Sequence, residues 1–132
     1  MADCIFCQIV KGDVPCFKVY EDDSFLGFLD ISPFSPGHTI LIPKIHYRWV
    51  YDVSRVGQYW ESANLIAHSI LKIIKPDYIS FWTFGNEVEH AHIHIVPRFN
   101  GDKFTGLIKL HHGSLPPQEM ARIAAEMLSL IK

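Results

Sequence analysis

The sequence predicts an α+β fold: a five-stranded antiparallel sheet with a long inserted helix and a C-terminal helix, both packed on one face. Five short segments rich in aromatic and β-branched residues are bounded by turn formers. Two longer segments repeat their apolar residues at three- and four-residue spacing. Two of the strand pairs are joined by only a few residues, which makes them antiparallel.

In chain order, residues 17–20 (Phe-Lys-Val-Tyr) and 25–29 (Phe-Leu-Gly-Phe-Leu) flank Glu21-Asp-Asp-Ser24 and read as a β-hairpin. Residues 31–37, with two prolines and a glycine, form a loop. Residues 38–43 (His-Thr-Ile-Leu-Ile-Pro) make a third strand, stopped by its proline. Between residues 54 and 74 the apolar positions Val56, Tyr59, Trp60, Ala63, Ile66, Ala67, Ile70 and Ile74 share one helical face, and Pro76 closes the helix. Residues 78–84 and 91–97 are the last two strands, joined by residues 85–89 with His90 at the end of the turn. Pro116-Pro117 opens a final helix that carries Met120, Ile123, Ala124, Met127, Leu128 and Ile131 at helical spacing. No repeat or linker interrupts the pattern, so residues 1–132 are read as a single domain.

Composition narrows the function. A net charge of -2 without any basic run argues against nucleic acid as a partner. The most apolar stretches, residues 39–43 and 65–74, are far shorter than the ~20 residues that span a bilayer. The N-terminus has an early acid and neither a basic nor an apolar signal region, so the expected location is cytoplasmic. Three cysteines, two of them spaced as Cys4-x-x-Cys7, fit metal binding or free thiols better than a disulfide framework.

The sharpest chemical feature is His90-Ala-His92-Ile-His94-Ile-Val-Pro-Arg98. Alternation puts the three imidazoles on one strand face, with neighbours ~6.5 to 7 Å apart and the outer two about 13 Å apart. A single metal bound by all three is therefore not expected. Histidine can serve as nucleophile, base or ligand, so the trio alone leaves a phosphoryl-transfer catalyst and a metalloenzyme both open. At its reference pKa of about 6.5, such a nucleophile would gain activity as pH rises through that value. Asp30 can equally be a turn former before Ser32-Pro33, and Phe6, Ile9 and Phe28 can be ordinary core. Cys16, His68 and the His111-His112 pair belong to no motif and read as structural or solvent-facing.

The order of motifs adds what the trio lacks. Cys4-Ile-Phe-Cys7, then the segment from Asp30 through His38 to His46, then the segment from Gly85 to Arg98 together resemble the histidine triad (HIT) family, in its microbial branch with an N-terminal cysteine pair. The resemblance implies a nucleotide hydrolase or transferase that cleaves at an α-phosphate, with His92 forming a transient nucleotidyl-histidine. It assigns His94 and His38 to supporting roles on the phosphate, and Asn86 stands where a glutamine donor is expected. It places the ribose on Asp30 and Ile31 and the purine base in an apolar slot of Phe6, Ile9 and Phe28, with Glu87 and Val88 also on the substrate side. Cys4, Cys7, His46 and His90 would make a closed Cys₂His₂ zinc site, structural and not needed for the chemistry.

The resemblance further implies a homodimer, consistent with Tyr59 and Trp60 giving the long helix more aromatic surface than one small sheet covers. The segment Phe84-Gly-Asn-Glu-Val-Glu89 is shorter than the family's usual loop, with Thr83 where an asparagine is expected. Strand alternation would turn Glu87 and Glu89 to the same side, and Glu89 would repel a polyphosphate if that side is the inward one. Two other classes remain open from the residues: a nucleotide-binding sensor or partner module with little catalysis, and a zinc hydrolase that uses His92 and His94 as ligands.

Overall fold

In the computed structural model, which describes residues 3–102 and 114–131, a five-stranded antiparallel sheet runs in the order β1-β2-β3-β5-β4. The strands are β1 (Lys18–Glu21), β2 (Phe25–Leu29), β3 (Thr39–Pro43), β4 (Tyr78–Trp82) and β5 (Ile93–Arg98). Helices α2 (Val56–Ile73) and α3 (Pro117–Ile131) are the two that the apolar periodicity predicts. His111 and His112 lie outside the described residues.

The hairpin between β1 and β2 turns on Asp22, whose Oδ1 accepts from the backbone N–H of both Ser24 and Phe25 at 2.7 Å. After β3 the chain crosses in α2 and returns as β4, and β5 then slots between β3 and β4, pairing His94 with Ile40 on one side and Trp82 on the other. Alternation divides the sheet into two faces. Odd-numbered Val19, Phe25, Leu29, Leu41, Ile93 and Ile95 point to α2 and α3, where Ala63, Ile66, Ile70, Ile123 and Met127 complete the main core. Tyr59 belongs to that core too, donating its hydroxyl to the Leu41 carbonyl at 2.7 Å. Even-numbered Leu26, Phe28, Ile40 and Ile42 form a second apolar layer on the opposite face.

That opposite face is covered by an element the apolar pattern does not announce, helix α1 (Ile5–Lys11). At seven residues it is too short for a helical period to register. Its Phe6 plugs it into the second layer, and Cys4 caps it, with Sγ accepting from the Cys7 N–H at 3.4 Å. The sheet is thus covered on both faces, not on one. A short 3-10 turn, Val50–Asp52, also precedes α2.

β4 ends at Trp82 and β5 begins at Ile93, because Trp82↔His94 is the last pair of the ladder. Residues 83–92 therefore leave the sheet, held back by the Thr83 hydroxyl on the His92 carbonyl at 2.8 Å. Gly85 lies at φ +77 with its α-carbon against the Trp49 ring; a Cβ there would meet that ring at 2.8 Å, so this loop can pass only as glycine. Gly37, at φ +91 before β3, is confined in the same way by Ile74.

Candidate active site

The even-numbered rows that build the second layer also place the site. His38 precedes β3 in the row of Ile40 and Ile42, and His92 and His94 continue into β5 across from them. Together with Asp30, at the end of β2, they face a pocket of about 350 Å³. Loop residues Asn86, Glu87 and Val88 close it opposite the histidines, and Phe6 of α1 forms a wall.

Hydrogen bonds fix where each ring carries its proton. The Phe34 backbone N–H donates to His38 Nδ1 at 3.0 Å; a peptide N–H can only donate, so Nδ1 is bare and Nε2 holds the hydrogen. His38 Nε2 then donates to His94 Nδ1 at 2.9 Å, which leaves the His94 proton on Nε2. His92 Nδ1 donates to the His90 carbonyl at 2.8 Å, so Nε2 of His92 keeps its lone pair. The rings of His92 and His94 stand 4.9 Å apart.

Burial keeps these rings neutral. It pushes the pKa of His38 down to about 3 and that of His94 to about 4, each helped by a neighbouring histidine. His92 is lowered as well, chiefly by burial. Its titration therefore lies below the ordinary value of 6.5 that the sequence alone suggests.

Asp30 fills its reading as a turn former and also lines the pocket. Its Oδ1 accepts from the Ser32 N–H at 2.8 Å and shapes the turn, while Oδ2 lies 3.6 Å from His38 Nε2. Asp30, His38 and His94 are close enough to suggest a metal cluster. The proton on His38 Nε2 and the 2.9 Å spacing of the two ring nitrogens instead make them a hydrogen-bond relay.

A second cluster lies on the other side of Phe6. Ligand atoms of Cys4, Cys7, His46 and His90 all fall within 4.8 Å of one another. His90 Nε2 donates to the Pro43 carbonyl at 2.8 Å, so its bare Nδ1 faces Cys4 Sγ at 3.3 Å and Cys7 Sγ at 3.5 Å. His46 Nδ1 lies 3.3 Å from Cys7 Sγ. Two thiols and two imidazoles, one of them oriented from behind by a carbonyl, form a donor set that could hold a metal.

A family model described as HIT domain matches residues 11–101. The chain belongs to the HIT domain family. It is 38% identical to the protein named hit of Bacillus subtilis, over 95% of this chain and 92% of that one. An adenosine 5'-monophosphoramidase of Schizosaccharomyces pombe is 33% identical, covering 98% of each chain. Among solved structures, a Zn-bound histidine triad family protein from Mycobacterium smegmatis superposes with a TM-score of 0.82 at 33% identity, over 98% of this chain and 96% of that one.

Within this HIT domain the sequence-derived residues divide by place. Phe6, Asp30, His38, Asn86, Glu87, Val88, His92 and His94 converge on the pocket. Phe28 is buried beneath Phe6, its ring 5.6 Å away, and Ile9 packs on the same layer, so both support the wall from behind. Ile31 is 76% exposed and is not among the residues lining the pocket. Glu87 and Glu89 both border a cleft beside His46 and Arg48, in a bend that strand alternation does not govern, and only Glu87 also reaches the site. Glu87 lines the pocket, whereas Glu89 is drawn to Arg48 Nη1 at 2.5 Å. Ile40, Phe34, Ser32, Phe84 and Gly85 also line the pocket, though the sequence analysis gives none of them a site role. Of these, Ile40 alone carries a sequence signal, the row it shares with His38.

Proposed function

We propose that this HIT domain cleaves purine nucleotide conjugates at the α-phosphate through a nucleotidyl intermediate on His92. The observation that carries the reading is the bare Nε2 of His92, presented to the pocket beside two neutral imidazoles. Nε2 attacks phosphorus, a P–N bond forms, and the bond from phosphorus to the leaving group breaks. The Nδ1–H bond to the His90 carbonyl disperses the positive charge that appears on the ring. His94 Nε2–H and the Asn86 amide donate to phosphoryl oxygens, and His38 holds His94 in the donating tautomer. Water or another acceptor then attacks phosphorus and frees His92.

Asp30 accepts from the ribose hydroxyls, and Phe6, backed by Phe28 and Ile9, receives the base, with Glu87 and Val88 at the rim. No lysine or arginine is among the described residues lining the pocket, while Asp30 and Glu87 are. That favours a conjugate with one phosphate, a phosphoramidate or an acyl adenylate, over a dinucleoside polyphosphate. The related yeast monophosphoramidase supports the first of these.

Cys4, Cys7, His46 and His90 would hold zinc, which when bound supplies a cross-link between α1 and the sheet; four protein donors leave no coordination position for substrate. We also infer a homodimer. β4 is an edge strand, and Trp60 and Phe81, 39% and 40% exposed, meet 5.9 Å apart beside it. Tyr59, in contrast, is spent in the chain's own core. No helix among the described residues is long and apolar enough to cross a membrane.

The test is an acid-quenched single turnover with a nucleoside phosphoramidate labelled at the α-phosphate, followed by mass measurement of the protein. A nucleotidyl adduct on wild type, absent in a folded His92→Asn variant that has lost several orders of magnitude in rate, is the expected result. No adduct, together with more than a tenth of the rate in His92→Asn, refutes the covalent mechanism and leaves a nucleotide-binding module.

A further inference from the structure

Arg98, the last residue of β5, is 4% exposed and does not line the pocket. Burying a guanidinium is costly unless its donors are filled, and here they are. Nε and Nη2 donate to the two carboxylate oxygens of Asp102 at 2.8 Å each, and Nη1 donates to Ser80 Oγ at 3.1 Å. The fork is thereby locked in plane, which leaves its two flat faces for aromatic rings. Tyr78 and Phe34 lie against the guanidinium, with ring centres 5.3 and 5.5 Å from its carbon.

Phe34 is the residue whose backbone N–H sets the proton position of His38. Its ring also meets Trp82 edge-on at 5.6 Å, and the next residue is fastened to the same strand end, Ser35 Oγ donating to the Pro97 carbonyl at 2.6 Å. The tip of this loop hangs from the end of β5 by Arg98 and Pro97. We propose that Arg98 is a positioning residue for the histidine relay: by clamping Phe34 it holds the peptide N–H that confines the His38 proton to Nε2, and through it the His94 proton to the nitrogen facing the pocket. Free imidazole has two tautomers of similar energy, and a hydrogen bond lost to a shift of an ångström no longer selects one. The consequence for turnover rests on the proposed phosphoryl chemistry; the consequence for the tautomers does not.

The tautomers are read directly, by ¹⁵N resonances of the His38 and His94 rings in the ligand-free, metal-loaded full chain. Wild type should show a bare Nδ1 and a protonated Nε2 on both rings. Arg98→Met should move both rings toward mixed tautomers and lower kcat on a nucleoside phosphoramidate about ten-fold, with KM changed less than about three-fold. Arg98→Lys should not rescue, because an ammonium has neither the fork nor the stacking plane. Phe34→Leu, which keeps the peptide N–H and removes only the clamped ring, should move the tautomers in the same direction, and it decides the matter if the Arg98 variants do not fold. Unchanged ring resonances in any of these variants that folds overturn the proposal. A wild-type chain that shows the stated tautomers and hydrolyses nothing refutes the functional reading instead.

Discussion

Replacing His38 by the two amides that imitate half of it tests whether the relay matters as a relay. An asparagine carbonyl reaches where Nδ1 sits and can accept from Phe34, while a glutamine amide reaches where Nε2 sits and can donate to His94. His38→Asn therefore leaves His94 Nδ1 without its donor in a site where burial already holds both rings neutral. An unsatisfied buried acceptor costs about 1 to 3 kcal/mol. At 1.36 kcal/mol per tenfold, that is a loss of about five- to 160-fold in kcat if the His94 proton is needed in the transition state. His38→Gln keeps the donor to His94 and should lose less. The assay is steady-state hydrolysis of a nucleoside phosphoramidate by both variants, with melting curves to confirm that each is folded. An asparagine variant as fast as the glutamine variant refutes the relay, because the bond to His94 would then carry no more weight than the one to Phe34.

Purified without chelator, the protein should carry close to one zinc per chain, and Cys4→Ala should carry less than a few tenths and melt at lower temperature; elemental analysis and calorimetry check this. Stability should fall with acid. Folded His38 and His94 titrate at about 3 and about 4 against an ordinary 6.5, so below pH 6.5 the unfolded chain takes up protons that the folded chain refuses. Tm should be level above pH 7 and decline from about 6.5 to about 4, and a decline no smaller in His38→Gln would contradict that assignment. Gly37→Ala adds a Cβ 2.9 Å from Ile74 at φ +91 and should cost about 1 to 3 kcal/mol by urea titration; an unchanged midpoint would show that the loop relaxes freely.

The parity of the sheet is legible in the sequence, because residues 92 and 94 alternate with Ile93 and Ile95 and the same phase runs through His38, Ile40 and Ile42. The cysteine pair and the two distant histidines are legible as donor types, and the fold brings all four together. Helix α1 is not legible, since Phe6, Ile9 and Val10 span barely one turn, too short a run for a period to register, and its cap is a cysteine, outside the usual capping residues. Nor are the groups that set the tautomers. The Phe34 N–H and the carbonyls of Pro43 and His90 belong to the backbone, which side-chain identity does not reveal. That Glu87 alone of the two glutamates reaches the site is not legible either, because alternation ends with the ladder and both lie beyond it, in a bend.

Helix α1 has a consequence for the order in which the chain assembles. Cys4 meets His90 across 86 positions of sequence, and Phe6 reaches His92. During synthesis at about 5 to 20 residues per second, this segment leaves the ribosome ahead of its partners and waits on the order of 5 to 15 seconds before they exist. Throughout that wait its two thiols are unshielded, and one wall of the pocket is missing. The two thiols are thus open to oxidants and to stray metal for longest while the chain is still nascent.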